Sequence, residues 1–389
     1  MRASVLLSVF VLAALPAVPF ATRDRSDSPA SRVAIIETPD EGIQPQAAVD
    51  SRGTIHLVYF KGEPSAGNVY YVKFRAAGGA IRPIMEPVRV NSIDGSALAS
   101  GTVRGAQVAL GRNGIVHVAW HGAAPVAGTG SPHPPVWYTR SVDGVHFEPQ
   151  RILSGATSGI DGSTVAADRK GSVAVAWHGL GARPGEGDRT VYVANSRDDG
   201  ASFASPATAT TAPVGACGCC GVKAMFDREG TLNILYRAAT GGKHRDTTWL
   251  GIRDGVASAP LRVHPWELDA CPMSTYALAE AGDGVAAAWE TAQQIYSATI
   301  DPRTGSVSGL VAPPGEGSRK HPSIAVNASG DRLLAWSEGT AWKRGGTFAW
   351  RMTNRAGAEL ATAADAGPVP VWGLVSAVAM ADGSFAIFR

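Results

Sequence analysis

A single seven-bladed β-propeller, an all-β fold, is what this sequence predicts, and three observations predict it. One hairpin pattern recurs seven times along the chain. Gly 46 and Pro 25 make up about 18% of the residues, a turn-rich composition at odds with a helical bundle. Hydrophobic residues reach 45% of 389, enough for a large core and too many for a disordered chain. Charge is sparse and balanced, 17% charged residues with a formal net charge of +2. That excludes an acidic solvating tail and a basic nucleic-acid surface.

The first element is a targeting segment. Arg2 precedes an apolar run over 5–15, and small residues follow to Ala21, the layout of a secretory signal peptide (1–21). The run is too short for a comfortable membrane span. Residues 22–32 are polar and read as a flexible lead-in, which leaves 33–389 for the propeller. Export implies a secreted or periplasmic protein in a compartment where disulfides persist. No later segment is long and apolar enough to cross a bilayer.

Each hairpin is a short apolar strand, a polar turn closing on glycine, and a strand ending in an aromatic residue. The turn glycines are Gly53, Gly114, Gly171, Gly230, Gly284, Gly330 and Gly383, spaced by 61, 57, 59, 54, 46 and 53 residues. Alternating apolar residues around turn chemistry specify a β-hairpin, and a repeat near fifty residues specifies a four-stranded propeller blade. Third strands follow at 68–74, 136–141, 190–196 and 348–353. The small apolar inner strands suit a crowded central channel. The aromatic residues Tyr59, Trp120, Trp177, Tyr236, Trp289, Trp336 and Phe388 recur too regularly to be seven binding sites, and packing between blades explains them. The seventh copy is only a hairpin, and the spare strand at 33–37 is expected to complete it and close the ring.

After the third blade's third strand comes Ser196-Arg197-Asp198-Asp199-Gly200-Ala201-Ser202-Phe203, and 141–147 is a copy one residue shorter. Ser196 and Asp198 would cap backbone N–H groups, Gly200 would take the strained dihedral, and Phe203 would plug the blade. The motif matches the Asp-box of bacterial neuraminidase (BNR) repeats. On this motif and the repeats, the mature chain resembles the sialidase-like superfamily of propellers. Locally, 216–220 (ACGCC), 235–237 (LYR), Arg245-Asp246, 266–272 (WELDACP) and 336–346 (WSEGTAWKRGG) are similar to an exported bacterial branch loosely named exo-alpha-sialidase. Members of the superfamily usually have six blades, so a six-bladed ring is the alternative to the count of seven.

In a propeller, the loops leading into innermost strands and those joining second to third strands open on one face. That face receives His121, His133, His178, His244, His264 and His321, six of nine histidines, and all four cysteines. A binding site is expected there. The resemblance implies sialidase chemistry, with arginines holding a substrate carboxylate and carboxylates as base and acid. Candidates are Arg104, Arg237 and Arg245 or Arg344 for the carboxylate, Glu290 or Glu338 as base, and Asp246 as acid. The chain departs from the family pattern. The family's Arg-Ile-Pro motif is missing near the first strands, Ile81-Arg82-Pro83-Ile84 lies too late, and no Tyr is placed as nucleophile beside Glu290. His264, Trp266, His321, Glu338, Trp342 and Arg344 are candidate ligand-binding residues for a glycan or other small anionic ligand.

Cys217, Cys219 and Cys220 lie in the loop into blade four and Cys271 in the loop into blade five, so neighbouring loops bring them together. Four cysteines allow three paired connectivities, and disulfides are the first reading. Copper or zinc held by thiolates with His244 or His264 is the second, and a redox pair is the third. The functional reading is an exported sialidase-like propeller that binds, and as a further step hydrolyses, a glycan. The alternative is a non-catalytic metal, redox or protein-interaction propeller using the cysteines.

Overall fold

The computed structural model describes residues 32–101, 105–157, 162–209, 214–282 and 284–389. Their strands form seven separate sheets arranged as seven propeller blades. The innermost strands are Ile43–Val49, Gln107–Leu110, Ser163–Ala167, Lys223–Phe226, Tyr276–Ala281, Arg319–Val326 and Ser376–Ala379. Each pairs antiparallel with the second strand the hairpin pattern requires. Seven blades, not six, is therefore the architecture.

The turns follow from side-chain chemistry. Asp50 Oδ1 accepts from the Arg52 and Thr54 N–H groups at 2.9 and 2.8 Å. Asp168, Asp227 and Asn327 repeat this two, three and five blades later. Such Asx turns need a residue with positive φ behind them, and Gly53, Gly230 and Gly330 supply it at 76–85°. The Ser-x-Asp turns are built from the same parts. Gly200 N–H donates to Ser196 Oγ (2.8 Å) and Ser202 N–H to Asp198 Oδ1 (2.9 Å). Phe203 then meets Tyr138 of the preceding blade edge-on at 4.8 Å, and Phe147 meets Tyr71 in the same way.

All seven aromatic residues that end second strands are buried. Trp120 packs in one cluster with Val58, Phe60 and Tyr71 of blade one, Trp289 with Leu235 and Trp249 of blade four, and Trp336 with Ala286 and Ala288 of blade five. They are the cement between blades.

The ring closes through the strand Val33–Ile36, which runs parallel to Phe385–Phe388 in register Val33↔Phe385 to Ile36↔Phe388. Thr38 donates from N and Oγ1 to the Arg389 carbonyl at 2.8 and 2.7 Å. Arg32, read as lead-in, is anchored to Asp331 Oδ2 (2.7 Å) and the Gly383 carbonyl. The segment read as a signal peptide (1–21) and residues 22–31 lie outside the described residues. Among those described, no helix is long and apolar enough to cross a membrane.

The channel is more polar than the small inner strands suggest. Gln46, Gln107, Lys223, Ser323 and Ser376 line it. Lys223 Nζ donates to Gln107 Oε1 at 2.7 Å, and burial lowers its pKa to about 8.

Buried histidines give the fold an acid-sensitive limb. Burial lowers His117, bonded to the Tyr138 hydroxyl at 2.7 Å, to about 4, and His321 to about 3, from a usual 6.5. Both are neutral at pH 7 in the folded chain and mostly neutral in the unfolded one. Below pH 6.5 the unfolded chain takes up protons that the folded chain refuses, so stability falls as pH drops toward 4 and 3. The slope is about 1.4 kcal/mol per pH unit for each histidine. Urea midpoints should fall between pH 7 and pH 4.5, and His117→Gln should flatten that fall.

Candidate functional site

The site grows from loops that enter blades four to seven. In the loop before Lys223, Cys217 N–H donates to the Arg237 carbonyl (2.9 Å) and Cys220 N–H turns back to the Cys217 carbonyl (3.2 Å). The tight turn gathers three sulfurs. Cys217 and Cys219 Sγ are 3.3 Å apart, and these two and Cys220 all lie within 4.8 Å of one another. The Arg189 guanidinium packs over Gly218, where a Cβ would stand 2.4 Å from Nη1 and displace it. A second group, Glu186, Cys219 and Cys271, shares Cys219. The four sulfurs are not bonded to one another. Burial raises the Cys220 thiol, but hydrogen bonds from Cys217 and Cys219 and the nearby Arg237 outweigh it and hold Cys220 well below its usual range.

Arg237, at the end of strand Leu232–Arg237, is fully buried. Its guanidinium donates to the Arg245 carbonyl (2.6 Å), Ser274 Oγ (3.3 Å) and the Glu290 carbonyl. It lies over the Trp266 and Tyr276 rings at 4.9 and 5.7 Å. Glu290 is buried too, with Oε2 3.8 Å from Arg237 and Oε1 accepting from Gln293 N–H at 2.7 Å. Burial pushes its carboxyl pKa up. Arg245 pairs with Glu186 at 2.6 Å, and Asp246 Oδ1 accepts from Trp266 N–H at 2.9 Å. Arg237, Arg245, Asp246 and Glu290, considered for catalysis, thus form a closed brace between loops. Arg104 lies outside the described residues.

The ligand-binding candidates separate into two sets. His264 accepts from Trp289 Nε1 at 3.0 Å, Trp266 lies under Arg237, and Glu338 is held by Arg319 Nε (3.0 Å) and Trp336 Nε1 (2.8 Å). These three belong to the scaffold. His321, Trp342 and Arg344 instead line one cleft with Cys271, Lys320 and Trp372. Trp342 is 53% exposed, and the buried Trp372 holds it edge-on at 4.4 Å. Met273, His321, Lys343 and Trp372 have φ of 51–63°. Each such non-glycine residue costs about 1–3 kcal/mol and persists where the surroundings enforce it, commonly at functional sites.

Trp372, Lys320, Glu186 and Ser274 escaped the sequence reading. Trp372 precedes the last innermost strand as Cys271 precedes its own, and His321 lies at the start of the strand Arg319–Val326, so the rule that selected those two applies to Trp372. Glu186 lies in the second-to-third-strand loop of blade three, which the same rule places on this face, but nothing in the sequence sets its carboxylate apart from the other loop charges.

No protein-family model matches the sequence, and no curated protein matches it. Solved structures do. A leech intramolecular trans-sialidase aligns with a TM-score of 0.51 at 10% identity, over 76% of this chain and 64% of its own. A Hadza microbial sialidase gives 0.49 at 15% identity, over 86% and 73%. A PL25 ulvan lyase gives 0.48 at 13% identity, over 84% and 81%. The shared property is the propeller fold.

Proposed function

We propose that this chain is an exported carbohydrate-binding propeller whose ligand lies in the cleft lined by Trp342, Trp372, Arg344 and Lys320. The observation that carries the reading is an exposed indole fixed at a cleft by a buried one. A sugar ring has an apolar C–H face that stacks on such a surface, while its hydroxyls need polar neighbours. Arg344, whose Nε donates to the Gly339 carbonyl (3.0 Å), and Lys320, whose Nζ donates to Pro272 O (2.6 Å), give the cleft positive charge suited to an acidic sugar. The 1–21 segment supports export.

Binding is favoured over hydrolysis. Arg237 and Glu290 face one another inside the brace, and among the described residues lining the cleft none is a carboxylate. Calorimetric titration with acidic oligosaccharides, sialosides included, tests the reading. Trp342→Ala should weaken binding about five- to thirtyfold, as a lost stacking contact of roughly 1–2 kcal/mol would, and leave the melting temperature unchanged. Equal affinity in wild type and variant would remove the cleft from the account. Release of a fluorogenic aglycone would restore the hydrolytic reading.

A further inference from the structure

We propose that Cys217, Cys219 and Cys220 form a binding site for one copper(I) ion, ligated by three sulfurs. The inference is independent of the carbohydrate reading. A first-row d¹⁰ ion sits about 2.3 Å from thiolate sulfur, so two sulfurs on one ion stand at most about 4.6 Å apart. The three sulfurs already lie within 4.8 Å of one another, with one pair at 3.3 Å, so small side-chain rotations complete the site. Backbone fixes the loop: Cys217 N–H on the Arg237 carbonyl, Cys220 N–H on Cys217, and Gly221 N–H on the Ser274 carbonyl.

The donor set selects the ion. Soft sulfur favours copper(I) and zinc, but structural zinc takes four ligands. His264 is engaged by Trp289 Nε1. Glu186 is tied to Arg245 (2.6 Å) and Arg189 (3.1 Å), and it groups with Cys219 and Cys271 rather than with all three sulfurs. Among the described residues no fourth donor, Cys271 included, groups with all three sulfurs, and such a set suits three-coordinate copper(I). Three thiolates around one monovalent ion carry net negative charge, and the buried Arg237 beside them offsets part of it. Each thiol that becomes a ligand releases its proton to solvent. No electron moves, because the metal enters as copper(I).

The test is an anaerobic copper(I) titration of the reduced full-length mature chain against a chromophoric chelator, with X-ray absorption on the product. One ion per chain is expected, surrounded by three sulfurs at about 2.3 Å. Cys219→Ser should abolish stoichiometric binding with an unchanged circular dichroism spectrum. Its partly exposed side chain makes it safer for folding than either buried cysteine. Cys271→Ser should bind copper as wild type does. Failure of wild type to compete with the chelator, loss of binding in Cys271→Ser, or a bound zinc ion that copper(I) does not displace would each overturn the proposal.

Discussion

Deleting residues 33–37 is expected to unfold the whole ring, not one blade. The deletion leaves the seventh blade with the hairpin Ser376–Ala379 and Phe385–Phe388, and an isolated two-stranded ribbon is marginal in water. It also removes the parallel ladder and exposes the edge at Phe385–Phe388. The loss is on the order of 5 kcal/mol, counting several half-buried apolar side chains and the ladder hydrogen bonds. That is comparable with the total stability of an ordinary domain. The damage spreads because Phe388 also packs edge-on against Phe74 of blade one at 5.2 Å. Urea unfolding followed by far-ultraviolet circular dichroism should show loss of the cooperative transition or an insoluble product. A transition at the wild-type midpoint would show that closure contributes nothing.

Arg237→Met should destabilise by about 3–5 kcal/mol, the cost of breaking a buried charge arrangement from one side. The guanidinium is fully buried and ties the blade-four and blade-five loops through Arg245, Ser274 and Glu290. Without it, the buried Glu290 carboxyl keeps no positive neighbour at 3.8 Å, and its protonation becomes easier still. Adding Glu290→Gln to Arg237→Met should therefore recover part of the loss, a coupling that a double-mutant cycle measures. Native-state hydrogen exchange should quicken at Cys217 and Ala238. A loss under about 1 kcal/mol would contradict the brace and return Arg237 to the role of a ligand-binding arginine.

Local patterns made the ring legible. A hairpin depends on turn chemistry and alternation within about fourteen residues, and seven copies supplied the same signal independently. The closing strand was legible for another reason, because one strand remained at the amino terminus and one blade lacked its partner. Burial of charge left no such trace. Arg237 and Glu290 end second strands where a loop begins, and a sequence cannot distinguish a charge pointing into the cleft from one turned under it. Apart from Ser274 Oγ and each other, their hydrogen-bonding partners are backbone carbonyls and N–H groups, which nearly every residue possesses. The channel posed the same difficulty. Lys223 and Gln107 bond each other across blades 116 positions apart, a distance no local pattern spans. His321 and Trp342 were found because aromatic and histidine side chains crowd the loops and strand entries of one face, and Trp372 obeys that rule as well.

Carbohydrate binding through the Trp342 cleft is the claim that gives this face its function, and a glycan microarray read with wild type and Trp342→Ala in parallel tests it most directly. The account predicts that wild type is retained on a set of acidic glycans, and that Trp342→Ala, folded and equally stable, loses those signals. An array blank for wild type, or one on which the two proteins give the same pattern, would contradict it.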